Sequence, residues 1–200
     1  MNNTPLDFNS EYILENDVVK LIPLKAEDFK VLTTFAINEP TLWEYALMPA
    51  NGLDNLKTYL YKALQDKLDK KAYPFLVFDK RTNEYAGSTR FYDYQLQYNT
   101  VQLGYTWYGK AFQGTGLNKN CKLLLLSFAF ETLGIERVEF RADNDNKRSI
   151  AAMKSLGCTV EGVLRQNCAT PNGERRDSIV LSILKGEWFG GLKANLESRL

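Results

Sequence analysis

Apolar positions along this chain switch between two periods. Val18 to Leu24, Tyr73 to Asp79, Tyr85 to Tyr94 and Val101 to Tyr108 are short runs bounded by turn residues and rich in β-branched and aromatic side chains, which predicts strands. Ahead of them, Phe29, Leu32, Phe35 and Ala36 recur at helical spacing until Asn38-Glu39-Pro40 breaks the pattern. Leu56, Leu60, Ala63, Leu64 and Leu68 mark a second helix over Leu53 to Leu68, and the periodic stretch Leu117 to Thr132 marks a third. Downstream come a strand from Glu136 to Ala142, a helix from Asn146 to Leu156 and a strand from Thr159 to Ala169. A Pro171-Asn172-Gly173 hairpin then leads to a returning strand, Ser178 to Leu184.

The resulting order is β-α-α-β-β-β-α-β-α-β-β. The three strands between Tyr73 and Tyr108 are joined too closely for parallel crossovers, so they form an antiparallel meander. The strands on either side of the Leu117 helix become parallel neighbours through a right-handed crossover. This is an α+β architecture, a mixed central sheet with helices on both faces. One domain is expected over 16–186, with a loose lead-in at 1–15 and a tail at 187–200 carrying Trp188, Phe189, Leu192 and Leu196.

Composition narrows the chemistry. A net charge of +1 over 200 residues gives no electrostatic case for nucleic acid or an anionic membrane. No apolar run is long enough to span a bilayer, and the first residues lack the basic and apolar parts of a signal peptide, so the cytoplasm is the expected compartment. Histidine is absent. That removes a Ser-His-Asp triad, a Cys-His pair and a histidine-bearing zinc site, so no metal is expected and acid–base work falls to carboxylates, hydroxyls, lysine, cysteine or water. The cysteines, Cys121, Cys158 and Cys168, have no framework spacing; Cys121 falls on the apolar stripe of its helix, a core position.

The most informative stretch is Gln113-Gly114-Thr115-Gly116-Leu117-Asn118, between a strand and a helix. The first N–H groups of a helix lack internal partners and carry partial positive charge, and glycines let a ligand approach the main chain closely, so strand, turn and helix together make a ready site for phosphate. It is not a nucleotide-hydrolase loop, because Gly114 is followed by Thr115 rather than lysine. Nor is it a dinucleotide fingerprint, because Lys119 stands where the third glycine belongs.

The turn does resemble Gln/Arg-x-x-Gly-x-Gly/Ala, the acyl-coenzyme A pyrophosphate turn of the GNAT acetyltransferases, with Asn118 departing from the usual small residue. Leu103-Gly104-Tyr105-Thr106-Trp107 resembles the strand before that turn. Leu133-Gly134-Ile135-Glu136-Arg137-Val138, Asn146-Lys147-Arg148-Ser149, Leu156-Gly157, Glu161-Gly162 and Asn172-Gly173-Glu174-Arg175-Arg176-Asp177 follow in the family's order. The resemblance runs from about Val18 to Leu184 and is similar to the branch holding the ribosomal-protein N-terminal acetyltransferases. It implies the GNAT, or acyl-CoA N-acyltransferase, fold and acetyl-CoA as cosubstrate. Pantetheine would pair with main chain around Leu103, Tyr105, Thr106 and Trp107. The pyrophosphate would be held by the turn of Gln113, Gly114, Thr115, Gly116, Leu117 and Asn118, and Asn146 and Ser149 would join the cofactor site.

The resemblance also implies a reaction: transfer of acetyl to a primary amine, on a protein N-terminus or a small molecule, by direct attack. Ser149 would protonate the leaving thiolate. A strand glutamate that serves many relatives as base is replaced here by Gln102, which leaves the carboxylates Glu39, Glu44, Glu139 and Glu161; of these Glu161 resembles a family position and is the candidate, acting through water. Plainer roles stand beside these. Asn146 is a ready helix N-cap, Ser149 a helix-surface hydroxyl, and Glu161 a sheet-edge carboxylate paired with Arg165 or Arg176. Lys119, Lys122, Lys147 and Arg148 either meet nucleotide phosphates or lie on solvated helix faces, and Trp43 is a packing aromatic near the acceptor cleft. The alternative function is a non-catalytic acyl-CoA-binding or sensing domain. A monomer or a homodimer fits equally.

Overall fold

The computed structural model describes residues 4–200. Eight strands form one sheet in the order β1-β2-β3-β4-β5-β6-β8-β7. They are β1 (Leu14–Glu15), β2 (Val19–Pro23), β3 (Ala72–Asp79), β4 (Glu84–Gln95), β5 (Thr100–Tyr108), β6 (Arg137–Asp143), β7 (Thr159–Ala169) and β8 (Arg175–Leu184). The four longer helices are α1 (Phe29–Asn38), α2 (Leu53–Leu68), α3 (Leu117–Ser127) and α4 (Lys147–Ser155), and short helical segments at Lys185–Glu187 and Lys193–Glu197 follow β8. Every neighbouring pair is antiparallel except β5 and β6, which are parallel across α3.

Strand alternation sets the two faces. On one face of β4, Ser88 meets the Tyr59 hydroxyl of α2 at 3.4 Å, and the Arg90 guanidinium lies 4.8 Å from the Tyr59 ring. On the other face, Thr89 meets Thr106, which accepts from Lys122 of α3. Helices therefore lie on both faces, with the core between them and the sheet. No helix among the described residues is long and apolar enough to cross a membrane.

The structure departs from the sequence reading at the lead-in and after the glycine turn, and it fills in the tail. Residues 1–3 of the expected loose lead-in lie outside the described residues; over 4–15 it is fastened: Leu6 and Phe8 are buried, Tyr12 N–H donates to the Tyr73 hydroxyl, and Leu14–Glu15 adds an edge strand. The periodic stretch after the glycine turn is not one uniform α-helix; residues Phe128–Thr132 widen into a π-helical turn. The tail is anchored by fully buried Trp188, which stacks on Phe130 at 5.5 Å and donates to Glu131 at 2.9 Å. At both chain ends a few apolar side chains find a surface made by residues far away in sequence.

Candidate active site

β5 and β6 pair at only three positions, Thr100–Arg137, Val101–Val138 and Gln102–Glu139. Beyond these, β6 stays paired with β8 as far as Asp143–Ser178, and β5 with β4 as far as Tyr108–Gly87. The two central strands thus part after Gln102. The parting leaves a wedge inside the sheet, with the main chain of 103–108 unpaired along one side. Buried main-chain polar groups need partners, and an extended ligand can supply them as an added strand. A bulge at this point turns Tyr105 to φ +49° and shifts the register between β4 and β5.

β5 leads out of the wedge into the glycine turn. Gly114 has φ +75° and Gly116 φ +84°, conformations that side chains disfavour, and open space stands where either Cβ would be. The Thr115 hydroxyl donates to Phe112 O at 2.8 Å and so braces the turn from within. Arg81, clamped to buried Asp79 at 2.6 Å, donates to Thr115 O at 2.9 Å from outside. The Gln113 amide donates to Tyr108 O at 2.8 Å, while its carbonyl accepts from Arg148 at the head of α4. At the start of α3 the Leu117 N–H reaches back to Thr115 Oγ1 at 3.4 Å, and the helix head turns its partial positive charge toward the mouth of the wedge.

The side chains of β5 are engaged elsewhere. Leu103 is buried. Trp107 donates to the Tyr59 hydroxyl at 3.3 Å and packs edge-on against Phe35 and Trp43. Thr106 is bonded to Thr89 at 2.7 Å and to Lys122 at 2.8 Å. These residues offer the wedge only main chain, whereas the Tyr105 ring is partly exposed. Trp43 is a buried packing aromatic. Lys122 takes neither place the sequence offered it, a phosphate contact or a solvated face: it is buried under the sheet with its ammonium on Thr106, and burial pushes its pKa down to about 8. Cys121 and Cys158 are buried too, and burial pushes each thiol up to about 12.

Asn146 caps α4, its Oδ1 accepting from Ser149 N–H at 3.0 Å. Ser149 is half-buried, one turn into the helix. Glu161 is held by an arginine, but not by Arg165 or Arg176. Both of its oxygens accept from Arg137, and one also accepts from Ser182 at 2.5 Å. The Arg137 and Ser182 hydrogen bonds hold its carboxyl below the usual range, which makes it a weak proton acceptor. Sequence reasoning passed over another carboxylate. Asp93, at a bulge of β4 with φ +49°, accepts from Gln102 at 2.7 Å, beside the apex of the wedge. Asp93 also borders a surface cavity of about 410 Å³ whose walls include Tyr92, Tyr105, Lys62 and Asp66. A second cavity of about 360 Å³ lies between 41–45 and the start of α4. Among the described residues no cluster of three His, Cys, Asp or Glu side chains is placed to hold a metal.

The site is thus a strand-lined wedge with a glycine turn and helix head at one end and a carboxylate at the other. Residues 19–159 match the family described as "Acetyltransferase (GNAT) domain", and the chain belongs to that family. It is an N-acetyltransferase by class, with acetyl-CoA as acyl donor. A crystal structure from T. thermophilus, provisionally titled an acetyltransferase, superposes with TM-score 0.85 at 33% identity, covering 96% of this chain and 98% of that one. A provisionally named ribosomal N-acetyltransferase of Bacillus subtilis, YdaF, is 35% identical over 90 residues, which is 45% of this chain and 48% of the relative. Spermidine N(1)-acetyltransferase of Escherichia coli K12 is 22% identical over 171 residues, 86% of this chain and 88% of the relative.

Proposed function

We propose that this enzyme moves acetyl from acetyl-CoA to a primary amine by direct attack within the wedge. Main-chain N–H groups of Gly114, Gly116, Leu117 and Asn118 take the pyrophosphate, and the unpaired edge of β5 takes the pantetheine. The amine nitrogen attacks the thioester carbon, its carbonyl oxygen gains negative charge beside main-chain N–H donors, and the C–S bond breaks. The proton leaving the nitrogen passes through water to Asp93; Ser149 hydrogen-bonds the departing thiolate, hands it a proton and regains one through water from Asp93, so that CoA leaves as the thiol and both side chains are restored. Asp93 replaces Glu161 in this scheme because Glu161 is held by the cationic Arg137, whereas the Asp93 oxygens accept only from the neutral amides of Gln95 and Gln102.

The observation that carries this reading is the end of β5–β6 pairing at Gln102, next to a glycine turn on the same strand. The acceptor is a small molecule or a protein N-terminus. Mixing the protein with acetyl-CoA and a panel of amines should release free CoA thiol and yield an N-acetyl product. Calorimetry with CoA runs beside it. Binding without product across a broad panel would favour a sensing domain, the reading that Gln102 at the common glutamate position supports. No binding at all would remove the wedge as a CoA site.

A further inference from the structure

Arg90 is a fully buried cation without an anion. Its side chain sits in the middle of β4 with 1% of the residue exposed, and it joins none of the ion pairs among the described residues. Asp79, equally buried, has Arg81. Arg90 has instead two aromatic rings: its guanidinium carbon lies 4.8 Å from the centre of Tyr59 and 4.1 Å from that of Tyr105. Ring faces attract a cation but accept none of its in-plane hydrogen bonds. Nε and Nη2 are both buried without a partner. These two nitrogens direct their hydrogens along one edge of the guanidinium, the edge that takes a carboxylate through two parallel bonds. A buried charge left in this state is costly, so its retention calls for a partner.

Its place in the sheet names that partner's source. Arg90 pairs with Gly104 of β5, two residues past the last β5–β6 pair, so it stands one strand away from the apex of the wedge. Tyr105 covers it. That ring is 40% exposed, stands edge-on to Tyr92 at 5.1 Å, and forms part of the wall of the 410 Å³ cavity that Asp93 also borders.

We infer that Arg90 receives a carboxylate carried by the amine acceptor. The Tyr105 ring moves aside and its cation–π contact is exchanged for a two-bonded ion pair. The acceptor class is therefore an amine with a carboxylate a few bonds away, as in an amino acid or a peptide with an acidic first residue. This inference rests on the acetyl-transfer reading, and it has a readout of its own.

Two measurements test it. In the first, acceptors matched except for the carboxylate are compared: amino acids against their amides, and peptides beginning with Asp or Glu against those beginning with Asn or Gln. The acids should be used with kcat/KM about tenfold or more above the amides, and whichever pair shows the larger ratio identifies the source of the carboxylate. In Arg90→Met and Arg90→Lys that ratio should fall toward one, through KM, with acetyl-CoA affinity unchanged. Equal use of acids and amides by the wild type, or a preference that survives Arg90→Met, overturns the inference. In the second, the Arg90 Nε–H resonance of the ¹⁵N-labelled wild type is followed as acetate and glutarate are titrated in. A saturable shift, absent with matched neutral amides, supports carboxylate binding even if no acceptor turns over; no shift overturns it. Failure to bind acetyl-CoA at all would instead strike the acetyl-transfer reading.

Discussion

The side-chain amide of Gln102 donates to Asp93 Oδ2 at 2.7 Å, so a carboxylate stands beside the residue where β5 leaves β6. A glutamine cannot take the amine's proton, but its neighbour can. Asp93→Asn should lower kcat by about 100-fold, with little change in acetyl-CoA affinity, because a general base acts on the chemical step. Steady-state kinetics with a working acceptor checks this. A kcat within a factor of two of the wild type would assign the proton to bulk water.

Glu161 should behave as a structural residue. Its folded pKa is lowered from 4.5, so its pair with Arg137 contributes stability above that value, and the contribution is lost as pH falls through the folded one. Glu161→Gln should leave the pH–rate profile in place. Acid unfolding followed by circular dichroism should begin at a higher pH than in the wild type. The pair is partly exposed, so the effect at neutral pH is small.

The glycine turn gives a test that does not need an acceptor. At Gly116, φ +84° costs a side chain about 1–2 kcal/mol, and a valine would also project into the open space over the helix head. Gly116→Val should remain folded with a lowered Tm and lose CoA binding in calorimetry. Unchanged affinity would show that the pyrophosphate sits elsewhere.

Lys122 makes a prediction in the alkaline range. Burial lowers its pKa from 10.5 to about 8, so between these values the unfolded chain binds the proton and the folded one does not. Stability from this group therefore rises with pH across that window, and below pH 8 the buried charge opposes folding. The buried thiols act oppositely: Cys121 and Cys158 stay protonated when folded while the unfolded chain loses their protons above about pH 9. The clean measurement is the difference between Lys122→Met and wild type in denaturant unfolding. The variant should lead by an amount on the order of 3 kcal/mol at pH 7, less the lost bond to Thr106, and the gap should close by pH 10.5.

The route from strand to glycine turn to helix was readable because its signals are local. Gly114 and Gly116 are two residues apart, and the apolar period of α3 starts at the next position. The same holds for Asn146, which caps a helix three residues ahead through its own side chain. Arg81 bracing Thr115, Arg137 holding Glu161 and Asp93 meeting Gln102 were not readable. Their partners lie 34, 24 and 9 residues apart, and nothing in composition chooses one carboxylate for one arginine.

By itself the sequence determined the order of elements, the glycine turn and the family to which that turn belongs, because periodicity, capping and glycine turns act over a few residues. Only the tertiary structure decided which charges meet. Sheet order put β8 between β6 and β7, which brought Arg137 within reach of Glu161, and the parting of β5 from β6 opened the wedge. Burial did the rest: it left Lys122 beneath the sheet and Arg90 between two tyrosines, because desolvation is a property of the packed whole and not of any segment.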